Sequence, residues 1–381
     1  MIYSDEHQEF RALVRRYVEQ KINPRVDEWE RAEWMPLHEV FADMAKLGML
    51  GLEYDPAYGG QGADHLFTVV LCQELGRVAH GSFPMALGVQ VAMATPSLHA
   101  HGSEELKQEF LAPAMRGEMV CGVAVTEPEA GSDVAGIRTH ARRDGDDWVI
   151  SGSKMFITNA VQADWLCTLV RTSDEGGYRG MSQIVVPTGT AGFRVDRKLD
   201  KLGMRASDTG LLTFDNVRVP VRNTIGEIGR GFQQQMSQFV MERMFASYSV
   251  PITCAIELEA TRDYARARKL FGHPLTANQY LQYTYAELAA RVDMLRVYTE
   301  STAQSYMAGT DVTRMATISK LEAARLGRQV ADWCLQVHGG MGYMEETWTS
   351  RAYRDSRLLS IGGGADEVML RVLSMMDGFT D

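Results

Sequence analysis

Cysteine is scarce in this sequence, and its placement argues against two classes of fold at once. The five cysteines among 381 residues (Cys72, Cys121, Cys167, Cys254 and Cys334) are scattered, odd in number and free of any C-x-x-C pair. A disulfide framework or a zinc site built on thiolates is therefore not expected, and a reducing compartment fits best. The nine histidines include no H-E-x-x-H, and His99 and His101 read as ordinary solvated residues, so no metal site is expected. Positive charge is also in short supply: 39 Lys and Arg stand against 49 Asp and Glu, a net charge of −10. A general nucleic-acid binder needs the opposite balance, because it must neutralise phosphates. Long apolar runs are missing too. The stretch Met85–Leu98 is interrupted by Gln90 and Pro96, so stable membrane insertion is not expected. The segment Met1–His7 has neither the basic nor the apolar part of a secretory signal, so a cytoplasmic protein is the expectation, with a processed organelle protein as the alternative.

What is present is the composition of a globular enzyme-sized chain, 45% hydrophobic and 23% charged. Its length suits two or three domains. The texture changes twice. Up to about Gly117 the pattern is helical: Ser4 can cap a helix bearing Phe10, Leu13, Val14, Tyr17 and Val18, and Pro36 and Gly48 can bracket another over 35–47. A glycine-rich loop (Gly59, Gly60, Gly62) follows, then helical pattern over 66–77 and 85–99. Near Val120 short β-branched and aromatic runs begin, with Ser151-Gly152 among the turn signals separating strands at 148–150 and 154–158. Further strands are expected at 166–171, 183–186 and 211–214. From about Gly231 long amphipathic patterns return, over 232–271 with a disturbance at Pro251, then 281–307, 312–338 and a last helix after Gly364. The fold class expected is α+β, with a helical domain over 1–119, a β domain over 120–228 and a helical bundle over 229–381.

Chemistry concentrates in a few segments. Val125-Thr126-Glu127-Pro128-Glu129-Ala130-Gly131-Ser132-Asp133 is a tight loop whose hydroxyls and backbone N–H groups can grip a polar heterocycle or pyrophosphate. Taken alone it reads better as an ordinary turn leading into the β domain. Lys154-Met155-Phe156-Ile157-Thr158-Asn159, the run from Lys201 to Thr209, Phe214–Pro220, Arg268-Lys269-Leu270-Phe271-Gly272, the run from Gln336 to Tyr343, and Tyr353-Arg354-Asp355 follow in order. Gly339-Gly340-Met341-Gly342 follows a helix instead of a strand, so it is not a dinucleotide-fold fingerprint. With these segments, spread over essentially the whole chain, the sequence resembles the acyl-CoA dehydrogenase family. The resemblance implies that family's fold: an N-terminal helical domain, a middle β domain and a C-terminal bundle of four-helix type. It also implies FAD, with Val125, Thr126, Gly131, Ser132, Phe156, Thr158 and Glu367 near the cofactor. Gln279, Gly339 and Gly340 would be further cofactor contacts, and Arg268, Phe271 and Gln336 would reach the cofactor of a neighbouring subunit in a homotetramer. An electron-transfer flavoprotein would be the electron acceptor.

The acid–base residue departs from the commonest family pattern. Where many members carry a glutamate in the loop before the last helix, this sequence reads Ile361-Gly362-Gly363-Gly364-Ala365-Asp366-Glu367. Gly363 cannot take a proton, although its N–H can still polarise a thioester carbonyl. Met241-Glu242-Arg243 matches a second branch, which includes isovaleryl- and long-chain-type enzymes and carries the base on a bundle helix. On a helix Glu242 shares its side with Phe239, Phe245 and Ala246, an apolar setting that raises a carboxyl pKa toward that of a useful base. The competing reading is a surface Glu-Arg pair. The resemblance implies removal of the α proton of an acyl-CoA by Glu242, with hydride leaving the β carbon for flavin N5 and a trans-2-enoyl-CoA as product. It further places Ser132, Phe239 and Arg243 near the substrate. Ala365 replaces a threonine, which removes one cofactor hydrogen bond. Two rival readings remain open at this stage: a flavin oxidase or monooxygenase on the same fold, and a non-catalytic acyl-CoA-binding relative.

Overall fold

The structure, a computed structural model, describes residues 3–379. Its first part is helical: α1 (Asp5–Tyr17), α2 (Val26–Ala32), α3 (Leu37–Lys46), α4 (His65–Leu75), α5 (Ser82–Gly88), α6 (Pro96–His101) and the short turns α7 (Glu104–Leu106) and α8 (Ala112–Met115). The expected capping residue does start α1. The Ser4 hydroxyl accepts from the His7 N–H at 3.5 Å, and the His7 ring accepts from the Ser4 N–H at 3.0 Å, so two helix-end donors are satisfied reciprocally. Residues 85–99, expected as one helix, are instead α5, a wide π turn over Val89–Ala94 and α6. Pro96 has no N–H to continue the ladder, so the chain restarts there with Pro96 in the first turn.

The middle part is one eight-stranded, mostly antiparallel sheet: β1 (Cys121–Ala124), β2 (His140–Asp144), β3 (Asp147–Thr158), β4 (Trp165–Arg171), β5 (Met181–Pro187), β6 (Phe193–Lys198), β7 (Thr209–Pro220) and β8 (Thr224–Ile225). Strand order is β6-β7-β3-β2-β4-β5-β8, with β1 added parallel to β4. Ser151-Gly152, expected as a turn, lies inside β3. There the register with β7 slips between Ile150 and Gly152, and Gly152 takes φ +148°. A Cβ at Gly152 would stand 2.5 Å from the Thr139 hydroxyl, so glycine marks a close strand crossing and not a reversal. β6 is absent from the sequence-based expectation because only alternate residues of Phe193–Lys198 are covered, and the exposed ones are charged.

The last part is dominated by α9 (Gly231–Ala267), α10 (Gln279–Met307) and α11 (Thr313–His338), followed by α12 (Trp348–Ser356) and α13 (Asp366–Met376). A small hairpin, β9 (Lys269–Leu270) with β10 (His273–Pro274), follows α9, so that helix stops at Ala267 and does not reach Phe271. Pro251 does not break α9. Met244, Phe245 and Tyr248 of α9 sit in one apolar core with Phe41, Phe83 and Leu87 of the first part, so the helix is held from outside its own ladder. Val250, Cys254 and Leu258 pack the opposite way, against α10 and α11. All five cysteines are buried and free. Among the described residues no helix is long and apolar enough to cross a membrane, and no cluster of potential ligands could hold a metal ion.

Candidate active site

α9 presents Phe239, Glu242, Phe245 and Ala246 on one side, and that side faces the protein interior. Glu242 is 8% exposed. Burial pushes its carboxyl up to about 7, against the opposing pull of the Arg243 and Lys320 cations. Desolvation wins because neither cation donates a hydrogen bond to it: Arg243 Nη1 donates instead to the Thr317 hydroxyl at 3.2 Å, and Lys320 Nζ to the Gly364 carbonyl. The result is a carboxyl that exchanges protons near neutrality in a dry setting.

Gly363 lies directly against this carboxyl. It holds φ +63°, and a Cβ built there would come within 2.9 Å of Glu242 Oε1. The left-handed backbone and the missing side chain together make room for the glutamate that arrives from α9. A base at 242 and a side chain at 363 would therefore compete for the same volume. The sequence shows both positions but not this exclusion, which only the packing reveals. Lys320 was also missed by sequence reasoning. The signal was a lysine within the buried run Ala316, Thr317, Ser319, Lys320 and Leu321 of α11. Burial pushes its ammonium down to about 8, and it tethers the loop that carries Gly363.

A second group of residues gathers at the end of β3. Phe156 has φ +62° and leaves 61% of its surface bare, while Thr158 is half-buried. The loop from Val125 to Asp133 is stitched to this strand by the Met155 N–H, which donates to the Thr126 carbonyl at 2.8 Å. Lys154, fully buried, donates to the Val125 carbonyl at 2.8 Å and to Glu127 at 2.9 Å. Glu127 also accepts from the Arg138 and Thr139 N–H groups, at 2.6 and 2.9 Å, so its role is to hold the loop. The Val125 side chain turns inward, into a core with Ala130, Ile137, Leu169 and Met181. Its backbone is the part left to face a ligand. Gly131 and Ser132 are exposed, and a Cβ on Gly131 would meet no atom within 4 Å. These residues fit a flavin: a bare ring to pack on a flat heterocycle, hydroxyls of Thr126, Ser132 and Thr158 around it, and open space over the loop.

The two groups are joined through the loop between β6 and β7. Thr158 pairs with Thr209 at one end of that loop, and the Met204 N–H donates to Asp355 of α12 at 2.6 Å at its middle. The chain then runs from α12 to Gly363. Glu367 lies exposed in the first turn of α13, where negative charge suits the helix dipole, and Ala365 offers that helix no capping side chain. His99, expected to be solvated, is half-buried. It packs edge-on to Tyr54 with ring centroids 4.6 Å apart.

The remaining predicted contacts sit elsewhere. Arg268, Phe271 (93% exposed), Gln279, Gln336, Gly339 and Gly340 cluster at the far end of the bundle, where Tyr264 stacks on His338 at 4.1 Å. Arg268 lies roughly 39 Å along α9 from Glu242, taking the rise per residue of a helix. These residues cannot serve the Glu242 site of their own chain.

Comparison with known proteins decides the family. Residues 4–118, 122–217 and 229–376 match the models of the acyl-CoA dehydrogenase N-terminal, middle and C-terminal domains. The chain belongs to the acyl-CoA dehydrogenase family. The mitochondrial long-chain specific acyl-CoA dehydrogenase of Mus musculus is 34% identical over 375 residues, 98% of this chain and 86% of that one. The crystal structure of an acyl-CoA dehydrogenase from Geobacillus kaustophilus is 33% identical, with TM-score 0.95, covering 98% of each chain. A glutaryl-CoA dehydrogenase from Mycobacterium smegmatis, solved in complex with FADH2, is 28% identical with TM-score 0.91, covering 99% of this chain and 95% of that one. This acyl-CoA dehydrogenase family member is thus an FAD-dependent oxidoreductase that dehydrogenates acyl-CoA.

Proposed function

We propose that Glu242 is the base that removes the α proton of the acyl-CoA thioester, giving a trans-2-enoyl-CoA. The observation that carries this is the buried Glu242 carboxyl packed against the glycine at 363. When bound, FAD supplies the acceptor for the hydride that leaves the β carbon. The residues of this chain do the rest. Glu242 holds the α proton at its carboxyl. The Gly363 N–H donates to the thioester oxygen as negative charge develops there, an interaction of a kind typically worth ~3 kcal/mol of barrier. Arg243, whose buried Nε has no partner, supports the thioester end of the substrate. Phe239 packs on the acyl group and Ser132 on the CoA side. Val125 (through its backbone), Thr126, Gly131, Ser132, Phe156, Thr158 and Glu367 hold the chain's own cofactor.

Arg268, Phe271, Gln279, Gln336, Gly339 and Gly340 belong to the cofactor site of a second copy, so the working unit is an oligomer, and the family resemblance makes it a homotetramer. The exposed apolar residues on the same part of the molecule support this. Tyr280 (72%) and Tyr283 (64%) recur as Met294 (72%) and Val297 (62%) ~four turns later along α10, a stripe that water alone would not favour. Electrons leave to an electron-transfer flavoprotein. The test is an anaerobic titration of the yellow protein with straight and branched acyl-CoAs. Bleaching that oxygen restores only slowly, and an acceptor dye restores quickly, is the expected result. Fast oxygen consumption with peroxide release would make the protein an oxidase, and no bleaching by any acyl-CoA would make it a binding protein.

A further inference from the structure

A cavity of about 820 Å³ lies between the N-terminal helices, α9 and the turn from α10 to α11. Ser237, Val240 and Met241 of α9 line it, and by the helical repeat they sit on the side of α9 turned away from Glu242. Its walls are largely apolar, with Leu52, Leu71, Val91 and Ala92 among them. One carboxylate interrupts that lining. The Glu53 Oε1 atom accepts from the Thr68 hydroxyl at 2.6 Å and from His65 Nδ1 at 2.9 Å. The other oxygen, Oε2, has no hydrogen-bond partner among the described residues and is not sealed off, and 28% of the side chain is accessible. The cavity is where that oxygen can find a donor.

Glu53 is charged. Burial alone would raise its carboxyl, but the bonds from His65 and Thr68 outweigh burial and hold it below the usual carboxylate range. His65 does not cancel that charge. Its Nε2 lies 3.0 Å from the Tyr248 hydroxyl, which burial keeps protonated and which has no other partner among the described residues. Tyr248 therefore donates to Nε2, and the imidazole is neutral. The rest of the wall suits a cation. Tyr306 packs on the His65 ring with centroids 4.6 Å apart, and burial together with the nearby Glu53 charge keeps its phenol protonated. Burial also holds the His99 ring below the usual histidine range, so it brings no positive charge. Asp311 adds a second carboxylate, against an Arg243 guanidinium whose Nη1 is bound to Thr317. A single free carboxylate oxygen is far too poor a set for Ca²⁺ or Mg²⁺, and no cluster of potential metal ligands occurs among the described residues. An ionised carboxylate facing an apolar cavity with an aromatic ring beside it fits an organic ammonium ion instead.

We propose that this cavity is a second ligand site, separate from the acyl-CoA site, and that it takes a primary alkylammonium ion. The ammonium donates to Glu53 Oε2 beside Tyr306, and the alkyl chain lies against Leu71, Val91 and Met241. The proposal does not depend on the reading of Glu242 as the base. Its test is calorimetric titration of the FAD-loaded enzyme at neutral pH with octylammonium chloride, 1-octanol and octanoate. Octylammonium should bind about tenfold or more tightly than 1-octanol, the effect of one hydrogen bond to a charged group, and octanoate should bind weakest. Glu53→Gln, which keeps an oxygen for His65 and Thr68, should erase that advantage. Tyr306→Leu leaves the Glu53 bonds in place and should weaken octylammonium binding roughly threefold or more, through loss of the aromatic face. Octylammonium that binds no better than 1-octanol would overturn the proposal, as would an advantage that survives Glu53→Gln. If Glu53→Gln does not fold, Tyr306→Leu decides, and undiminished octylammonium binding there overturns it. Saturation with an acyl-CoA that bleaches the flavin should leave the amine bound; its displacement would put the amine in the path of the substrate and overturn the separate site.

Discussion

At the scale of single residues, the protein turns on how three neighbours share one small volume. Glu242 needs an apolar surround to be a base near neutrality, Gly363 needs no side chain to leave room for it, and Lys320 holds the loop that brings Gly363 there. Gly363→Ala should therefore act twice. It forces an alanine into left-handed backbone, at ~1 kcal/mol or more, and it presses a methyl toward Glu242 Oε1. We expect kcat/KM to fall about tenfold or more with FAD retained, since ~1.4 kcal/mol is a factor of ten. The proton balance gives a second expectation. The base works only when ionised, so flavin reduction by acyl-CoA should rise with pH through about 7 and level off above it. Lys320→Met removes a cation that favours ionisation, so the midpoint of that profile should move upward. The same carboxyl affects stability. Its folded pKa lies above its usual value, so the folded state is penalised progressively as pH rises from the ordinary carboxylate range to about 7, and fully beyond that. Thermal melts should show Glu242→Gln more stable than wild type above pH 7, with the gap closing in acid.

At the scale of elements, sequence and structure part company for identifiable reasons. Hydrophobic periodicity marked α9, α10 and α11 to within a few residues, because long helices repeat their signal many times. Short elements carried too little signal: the Ser151-Gly152 turn became a bulge inside β3 once Thr139 closed over it, and Pro96 reset a helix that apolar content alone had continued. The burial of Glu242 was legible from its apolar helical neighbours. That of Lys320 was not, because a polar residue shows its burial only when the elements around it are assembled. The clamp between β3 and the Val125–Asp133 loop belongs to this scale. Lys154 and Glu127 are both buried and paired, and removing one partner leaves an uncompensated charge at a cost of ~3–5 kcal/mol. Lys154→Met should lower the melting temperature by several degrees and release FAD on gel filtration, while Arg138→Ala, an exposed side chain nearby, should do neither.

At the scale of the whole molecule, the proposed base and the proposed flavin loop lie in one part of the chain, while Arg268, Phe271 and Gln336 lie at the opposite end of the bundle. Sedimentation should give four copies of the 42.5 kDa chain. Phe271→Ser and Arg268→Ala should weaken FAD binding although neither residue is near its own Glu242, and a stable monomer with full flavin content would count against the shared site. The central claim is narrower than the assembly: in this enzyme the proton leaves through α9. The most direct measurement is the anaerobic absorbance of the bound flavin when wild-type and Glu242→Gln proteins, both yellow, are mixed with the same acyl-CoA. Bleaching of the wild type, with an unbleached flavin in the variant under identical binding, is the predicted result. A Glu242→Gln protein that bleaches at the wild-type rate would contradict it and send the search for the base elsewhere in the site.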